Sequence, residues 1–489
     1  MFATSAVFAR PSTPTLALTL ALTAWLGLGA QAALAQAYPQ PWPGLGKVAL
    51  GDATEQDFYN TPVSDLASLP NGTLIRYSRM DHTDDGANLD PARFKTTPTF
   101  GGEDNAVPFT MWRVIYTTRG ATLNPLTPGR PLLASGIVMV PTAAWAGAGP
   151  RPIVIDPPKT QGLGTLCPPS KAMQAGTEEP SETRRALVVL KKGYALAITD
   201  YDGYTGGEAH SYLVGQVNGR ATLDLARALQ QLPGTGLSTT APVAIWGYSE
   251  GGTSAAWAGQ LQPSYYPTMN LKGVATGGLV ADMLMAARAT NATAFSGLTM
   301  ATTWGYKVAY PSLWFNVNSS YWTRLLGSDQ SSGPLAFPPK AADSQTSAML
   351  HKNQCVNQLG LYHSFLDIKY RNRGASPTDL PEGQAGYTVD QLTSATGPTP
   401  DWVAAMEANK IGNMKINVPT YLYYGVLDPI LPQANFTEAY ARLCARGTVV
   451  QKNWYLGGHQ DTSDYAFNDV LRFLDERFTG SKAPVNSCN

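Results

Sequence analysis

Val243-Ala244-Ile245-Trp246-Gly247-Tyr248-Ser249-Glu250-Gly251-Gly252 passes from a short apolar segment into small residues, and Thr253-Ser254-Ala255-Ala256 continue the small run. Such a segment reads as a buried strand that turns sharply into a closely packed helix. The embedded Gly-x-Ser-x-Gly pattern is weak evidence alone, since composition predicts roughly 0.3 chance occurrences in a chain of this size. Context strengthens it. On a tight strand-to-helix turn, Ser249 would stand above the carboxyl end of a sheet, at the amino end of a helix. Gly247 and Gly251 would let strand and helix approach each other.

Outward from this turn, strand and helix signals alternate. Leu132 to Val140, Pro152 to Ile155, Gly193 to Thr199 and Pro242 to Trp246 read as buried strands. A helix from Asn218 carries Leu225, Ala228, Leu229 and Leu232 at helical spacing and stops at Pro233. After a long interruption, Pro419 to Tyr424 and Gly447 to Trp454 resume the strands, and Phe467, Val470, Leu471, Leu474 and Phe478 mark a closing helix. The pattern predicts an α/β fold: a largely parallel sheet with helices on both faces and its site at the carboxyl ends of the strands. The interruption is rich in Met and aromatic residues (Met283, Met285, Met300, Trp304, Tyr306, Tyr310, Trp314, Phe315, Tyr321 and Trp322) and reads as an inserted, mostly helical cap whose aromatics form its own core. Residues 38–130 read as irregular and Pro-rich.

The 489 residues carry 35 Lys+Arg against 35 Asp+Glu, with only 14% charged. So balanced and sparse a charge argues against a nucleic-acid-binding surface. Leu16 to Ala30 is an apolar run after Arg10, followed by Ala33-Leu34-Ala35 and Ala35-Gln36-Ala37, the pattern of a secretory signal peptide cleaved after Ala35 or Ala37. The expected protein is therefore exported, to the medium or a periplasm, and its net charge after removal of Arg10 is −1. Residues 1–37 are the expected signal peptide, 38–282 and 416–489 the two parts of the catalytic domain, and 283–415 the cap. Export favours disulfides for the four cysteines, and none of the Cys or His spacings suits zinc.

A serine hydroxyl needs a base within reach and an acid to orient that base. On this kind of scaffold the chain order is Ser, then Asp or Glu, then His. Of five histidines, His82 and His210 precede Ser249 and His351 and His363 fall in the insertion. His459, in the loop Gly457-Gly458-His459-Gln460 between the last strand and the last helix, is the expected base. Asp428, just past the strand Tyr421 to Tyr424, is the expected acid; Asp461 and Asp464 read instead as the start of the closing helix, where acidic residues suit the helix dipole. For the oxyanion, one donor is the backbone N–H of Glu250, and the other should come from the loop after Ile155, beyond Pro157 and Pro158. The Glu250 carboxylate beside the site would disfavour anionic substrates.

Several segments together resemble the secretory lipases of the Candida antarctica lipase A type, including their bacterial relatives. They are Asp57-Phe58-Tyr59 with Pro70 to Arg76, Asp200-Tyr201-Asp202-Gly203 with His210 and Tyr212 to Gly215, the serine turn at Gly247 to Gly252, Gly425 to Pro432, and His459. The resemblance implies an α/β-hydrolase fold with a helical cap, acting on lipid-like acyl esters without metal or cofactor. The expected partner is a small-molecule or lipid ester, with transient contact at a lipid interface, and the sequence points to no obligate protein partner. It also implies disulfides pairing Cys167 with Cys355 and Cys444 with Cys488. Two departures stand out: Pro158-Lys159-Thr160 replaces a His-Gly-Thr tract, and Glu250 replaces Gln or Gly. Thr160 matches the family's oxyanion donor, with Gln161 its neighbour. The expected activity is that of a secreted serine esterase or lipase; a serine peptidase on the same scaffold is the alternative, with Glu250 and Lys159 as candidate anchors for a peptide terminus.

Overall fold

A computed structural model describes residues 58–59, 63–79, 107–164, 167–175, 180–205, 209–290, 295–315 and 398–488. The expected signal peptide and residues 316–397 of the expected cap lie outside these described residues, as do Cys355, Tyr321 and Trp322.

Among the described residues, nine strands form one sheet: β1 (Leu74–Arg79), β2 (Phe109–Arg119), β3 (Pro131–Pro141), β4 (Ile153–Asp156), β5 (Ala195–Asp202), β6 (Val243–Tyr248), β7 (Leu271–Gly277), β8 (Thr420–Gly425) and β9 (Val450–Tyr455). Their spatial order is β1-β2-β3-β5-β4-β6-β7-β8-β9. From β5 through β4 to β9 all neighbours are parallel. β1, β2, β3 and β5 pair antiparallel. The sheet is thus mixed, with an antiparallel flank that the alternation of strand and helix signals did not reveal. The chain order reverses around β4, so the crevice between the carboxyl ends of β4 and β6 is where such a sheet forms a site.

Both faces of the sheet are covered. Val243 and Ile245 of β6 pack into one apolar layer with Leu223 and Leu225 of α3 (Gly215–Leu229) and Trp257 of α4 (Glu250–Tyr265). Ala244, Trp246 and Tyr248 point the other way, into a layer with Met173 of α1 (Pro169–Ala175), Leu187 and Leu190 of α2 (Pro180–Lys191) and Phe473 and Leu474 of α10 (Phe467–Thr479). Alternate side chains therefore serve different layers, and a strand buried on both faces reads as continuously apolar. Truncating a buried Trp of this kind to Ala costs about 3–5 kcal/mol.

Three local readings change. Residues 38–130 contain β1 and β2, not irregular chain alone; Arg76 and Arg113 lie buried in these strands, and such residues mask a core strand in sequence. Arg113 stacks its guanidinium 4.4 Å from the Phe58 ring centre, and Arg76 donates from Nη1 to the Phe58 carbonyl at 3.0 Å. β7, Leu-Lys-Gly-Val-Ala-Thr-Gly, escaped notice because Lys272, Gly273 and Gly277 dilute its apolar pattern. α3 begins at Gly215 instead of Asn218, and Asp461 and Asp464 belong to a separate short helix, α9 (His459–Tyr465), before α10.

The described parts of the expected cap are α5 (Met283–Thr290), α6 (Ser296–Ala309) and α7 (Pro400–Glu407). Tyr306, Tyr310 and Trp402 are buried in one cluster with Tyr212, Leu213 and Val217, so these aromatics do form a core, one shared with the segment leading into α3. Between α5, α6 and α7 lies a recess of about 420 Å³, its open mouth included, lined by Met283, Ala287, Thr302, Tyr306, Trp402 and Met406 among others.

Cys444, in the last turn of α8 (Gln433–Ala445), is disulfide-bonded to Cys488 with Cα atoms 5.4 Å apart. Cys167 is disulfide-bonded as well. The Cys444–Cys488 bridge holds the C-terminal tail against β9, where Ser487 N–H donates to the Val450 carbonyl at 2.7 Å. Closing a loop with a sequence separation of 44 removes unfolded-state entropy worth up to ~4 kcal/mol. Cys488→Ser is therefore expected to lower the denaturant midpoint; an unchanged midpoint would show that the bridge adds nothing to stability.

Candidate active site

Ser249 follows β6 directly and caps the N-terminus of α4, with φ 59° and ψ −120°. A non-glycine residue held there is strained, and the strain persists because the surroundings over-determine the turn. Ser249 N–H donates to the Gly277 carbonyl of β7 at 2.9 Å. A Cβ at Gly247 would lie 2.0 Å from the Gly251 carbonyl oxygen, and one at Gly251 would lie 2.0 Å from that of Pro157. Only glycine lets the turn close, and it presses the start of α4 against the loop after β4.

His459 is the first residue of α9, beyond β9. Its Nε2 lies 2.9 Å from Ser249 Oγ and its Nδ1 lies 2.6 Å from Asp428 Oδ2. The imidazole is buried and packs against the Tyr248 ring, with ring centres 5.3 Å apart. Asp428 lies in the turn after β8, where its Oδ1 accepts the N–H groups of Ile430 (2.9 Å) and Leu431 (3.0 Å). Burial by itself would raise the Asp428 pKa. The charge and hydrogen bond of His459 and the two backbone amides outweigh that and hold it below the usual carboxylate range. The three residues singled out in the sequence, far apart in the chain, are thus brought into one hydrogen-bonded line at the carboxyl ends of β6, β8 and β9.

The loop after β4 is held from several sides. Lys159 N–H donates to Glu182 Oε1 at 3.2 Å, so that amide is already engaged, and Gln161 Nε2 donates to the Lys159 carbonyl at 2.9 Å. The Thr160 hydroxyl meets the Tyr212 hydroxyl at 2.8 Å. If Tyr212 donates, the Thr160 O–H remains available to an oxyanion. On the opposite side, Glu250 opens α4, where the first backbone N–H groups have no carbonyl partner within the helix.

The Glu250 side chain does not face the site as a free charge. It is buried, and its Oε1 accepts from His210 Nε2 (2.7 Å), Asn218 Nδ2 (3.2 Å) and Leu213 N–H (3.4 Å). His210 Nδ1 lies 3.1 Å from Asp202 Oδ1. Burial alone would lower the His210 pKa, but the Glu250 charge above all, then the hydrogen bonds to Asp202 and Glu250, push it up to about 9. The Glu250 carboxylate beside Ser249 is thus turned toward a cation that it shares with Asp202. Sequence reasoning missed this group because His210 precedes Ser249 and falls outside the expected chain order. The available signal was an Asp, a His and an Asn (Asp202, His210, Asn218) set among otherwise buried apolar segments.

Comparison with known proteins is consistent across sequence and structure. A family model described as secretory lipase matches residues 177–321. Lipase 1 of Candida albicans is 29% identical over 359 residues, 69% of each chain. The secreted triacylglycerol lipase of Malassezia furfur is 24% identical over 401 residues, covering 79% of this chain and 72% of its own. Three further Candida albicans lipases are matched over 64 to 65% of their own length. The crystal structure of Candida antarctica lipase A superposes with a TM-score of 0.66 at 17% identity, covering 90% of this chain and 89% of that one. That likeness shows the fold alone, an α/β fold around a mixed sheet of mostly parallel strands.

Proposed function

We propose that this chain, which is similar to secretory lipases, is an exported serine ester hydrolase that cleaves lipid-like acyl esters with Ser249 as nucleophile, His459 as general base and Asp428 as the acid that orients it. The observation that carries this reading is the unbroken line Ser249 Oγ–His459 Nε2, His459 Nδ1–Asp428 Oδ2, at 2.9 and 2.6 Å, on a strained strand-to-helix turn. Ser249 attacks the ester carbonyl while His459 takes its proton and then delivers it to the leaving alkoxide. Water, activated by the same imidazole, hydrolyses the acyl-enzyme. The tetrahedral oxyanion is received by the Glu250 N–H and the Thr160 hydroxyl. We assign residues 1–37 to a signal peptide, 38–282 and 416–489 to the hydrolase domain and 283–415 to a helical cap.

The apolar moiety of the substrate is assigned to the recess between α5, α6 and α7, because α5 follows closely on the carboxyl end of β7, the strand beside Ser249. The peptidase alternative loses its two anchors: Glu250 is held by His210, and Lys159 donates from Nζ to Gln460 Oε1 at 2.9 Å. The test is a chain-length series of p-nitrophenyl esters and triacylglycerols, run beside aminoacyl anilides. Cleavage of no ester from acetate to palmitate would reject the proposal. Ala287→Trp, which fills the recess, is expected to lower kcat/KM for the longest accepted chain about tenfold or more relative to acetate. An unchanged profile would remove the recess from the acyl site.

A further inference from the structure

The two oxyanion donors of the proposed site come from different parts of the fold. One is an amide at the start of α4, the other a hydroxyl on the loop after β4. Donors of this kind act only when held within about 0.5 Å of the productive geometry by groups that are themselves locked. Among the described residues, His210 touches the supports of both.

His210, only 1% exposed, reaches Glu250 through Nε2 and Asp202 through Nδ1. Its ring stacks against Tyr201 and Tyr204, with ring centres 5.2 and 5.4 Å away, and Tyr212 meets it edge-on at 6.2 Å. Each of these tyrosines ends on the loop after β4. Tyr201 donates to the Pro158 carbonyl at 2.7 Å, Tyr204 to the Gly162 carbonyl at 2.6 Å, and the Tyr212 hydroxyl meets that of Thr160 at 2.8 Å. Backbone strain marks the same assembly. Apart from Ser249 and Asp65, the described non-glycine residues with positive φ are Tyr201 (69°) and Leu213 (57°), and Leu213 N–H is itself a donor to Glu250. Bulky residues hold such angles only where the surroundings enforce them, and strain of this sort collects at functional sites.

Resting on the serine hydrolase reading, we infer that His210 is a positioning residue for catalysis: as an imidazolium between Asp202 and Glu250, packed among Tyr201, Tyr204 and Tyr212, it locks both oxyanion donors in one arrangement. Both ring nitrogens face carboxylate oxygens that accept from other donors as well, and only the doubly protonated ring donates both bonds at once. Aromatic faces against the ring favour the same charged form. A neutral ring must give up one of its two carboxylates, which frees either Glu250 and the start of α4 or the turn that carries the tyrosines.

The charged state carries a pH signature. With the His210 pKa raised to about 9, the clamp is complete below the ordinary histidine pKa of ~6.5 and is lost as pH rises through about 9. The titratable groups that face the ring are Asp202 and Tyr201 from β5, Tyr204 just beyond it, Tyr212 ahead of α3 and Glu250 from α4; Asp200, bonded to Ser135 and Ser170, acts on Tyr204 by its charge. Burial pushes all three tyrosines upward, so they do not lose protons in that window.

The experiment measures kcat and KM against pH on a p-nitrophenyl ester, with spontaneous hydrolysis subtracted, for the wild type, His210→Gln, His210→Gln/Glu250→Gln and Ser249→Ala, with a thermal midpoint for each. The double variant removes one of the two buried carboxylates that lose their cation, leaving Asp202 with its bonds from Ser211, and so serves if the single variant does not fold. A wild-type kcat that declines around pH 9 is expected. In whichever folded His210 variant is obtained, kcat should be lower by about thirtyfold or more with KM within about threefold, since the loss falls on a transition-state contact, and the decline near pH 9 should vanish. A folded variant with kcat within twofold of wild type, or with the same alkaline decline, overturns the inference even if its thermal midpoint is lower. Ser249→Ala keeps the two failures apart: if it retains activity, the serine hydrolase reading is wrong, whereas if it is inactive and the His210 variants are not, only the positioning role is wrong.

Discussion

Ser249→Ala should lower kcat on a p-nitrophenyl acyl ester by at least ~10³-fold while the thermal midpoint moves by no more than about 2 °C. The two halves of this expectation have separate causes. On the proposed mechanism the rate falls because the Ser249 hydroxyl, 2.9 Å away, is the group His459 Nε2 would deprotonate, and what remains is the weaker assistance of the oxyanion donors to a water attack. Stability holds because the strain at φ 59° belongs to the backbone and the Cβ, which Ser and Ala share, and because the Ser249 N–H bond to Gly277 is untouched. Ser249→Gly extends the argument: it should be equally inactive yet more stable, because glycine tolerates a positive φ and the strain is released. A fluorophosphonate that labels the wild type once and neither variant completes the check. Retained turnover in purified Ser249→Ala would end the nucleophile assignment.

The line of Ser249, His459 and Asp428 was legible in sequence because each of its residues follows a strand end on a scaffold with a known chain order, so local patterns sufficed. Those local patterns failed where burial was paired with charge. Arg76 and Arg113 are buried in β1 and β2 beside Phe58, and a reading that expects cores to be apolar passes over such strands. The same blindness hid His210 and the inward course of the Glu250 carboxylate, since a buried ion is recognisable only from its partner, and the partners Asp202 and Glu250 are 8 and 40 residues away in the chain. Glu250 shows how much such a pairing changes chemistry. Read alone, it is a negative charge next to the proposed nucleophile; with His210 it becomes an anchored side chain whose backbone N–H opens α4, where the proposed oxyanion would be received.

Asp428→Asn is expected to cost ~10³ to 10⁴-fold in kcat, more than removal of a single hydrogen bond would explain. The geometry around the carboxylate dictates how the amide must sit. Oδ1 accepts two backbone N–H groups, from Ile430 and Leu431, and an asparagine keeps both only if its carbonyl oxygen takes that position. Its NH₂ group then occupies the place of Oδ2 and points at His459 Nδ1, which must become an acceptor. The ring proton is driven to Nε2, the nitrogen that has to accept the proton of Ser249. Such a variant should fold with a somewhat lower midpoint at neutral pH, bind substrate with an ordinary KM, and still fail at proton transfer. The sign of the pH effect on stability follows from the same contacts. In the wild type the lowered Asp428 pKa contributes stability above the ordinary carboxylate value of ~3.9 that is lost as pH falls through the folded one, whereas the asparagine variant lacks that dependence. A loss in kcat below about tenfold would mean that another carboxylate orients His459, with Asp461 in the first turn of α9 the first to examine.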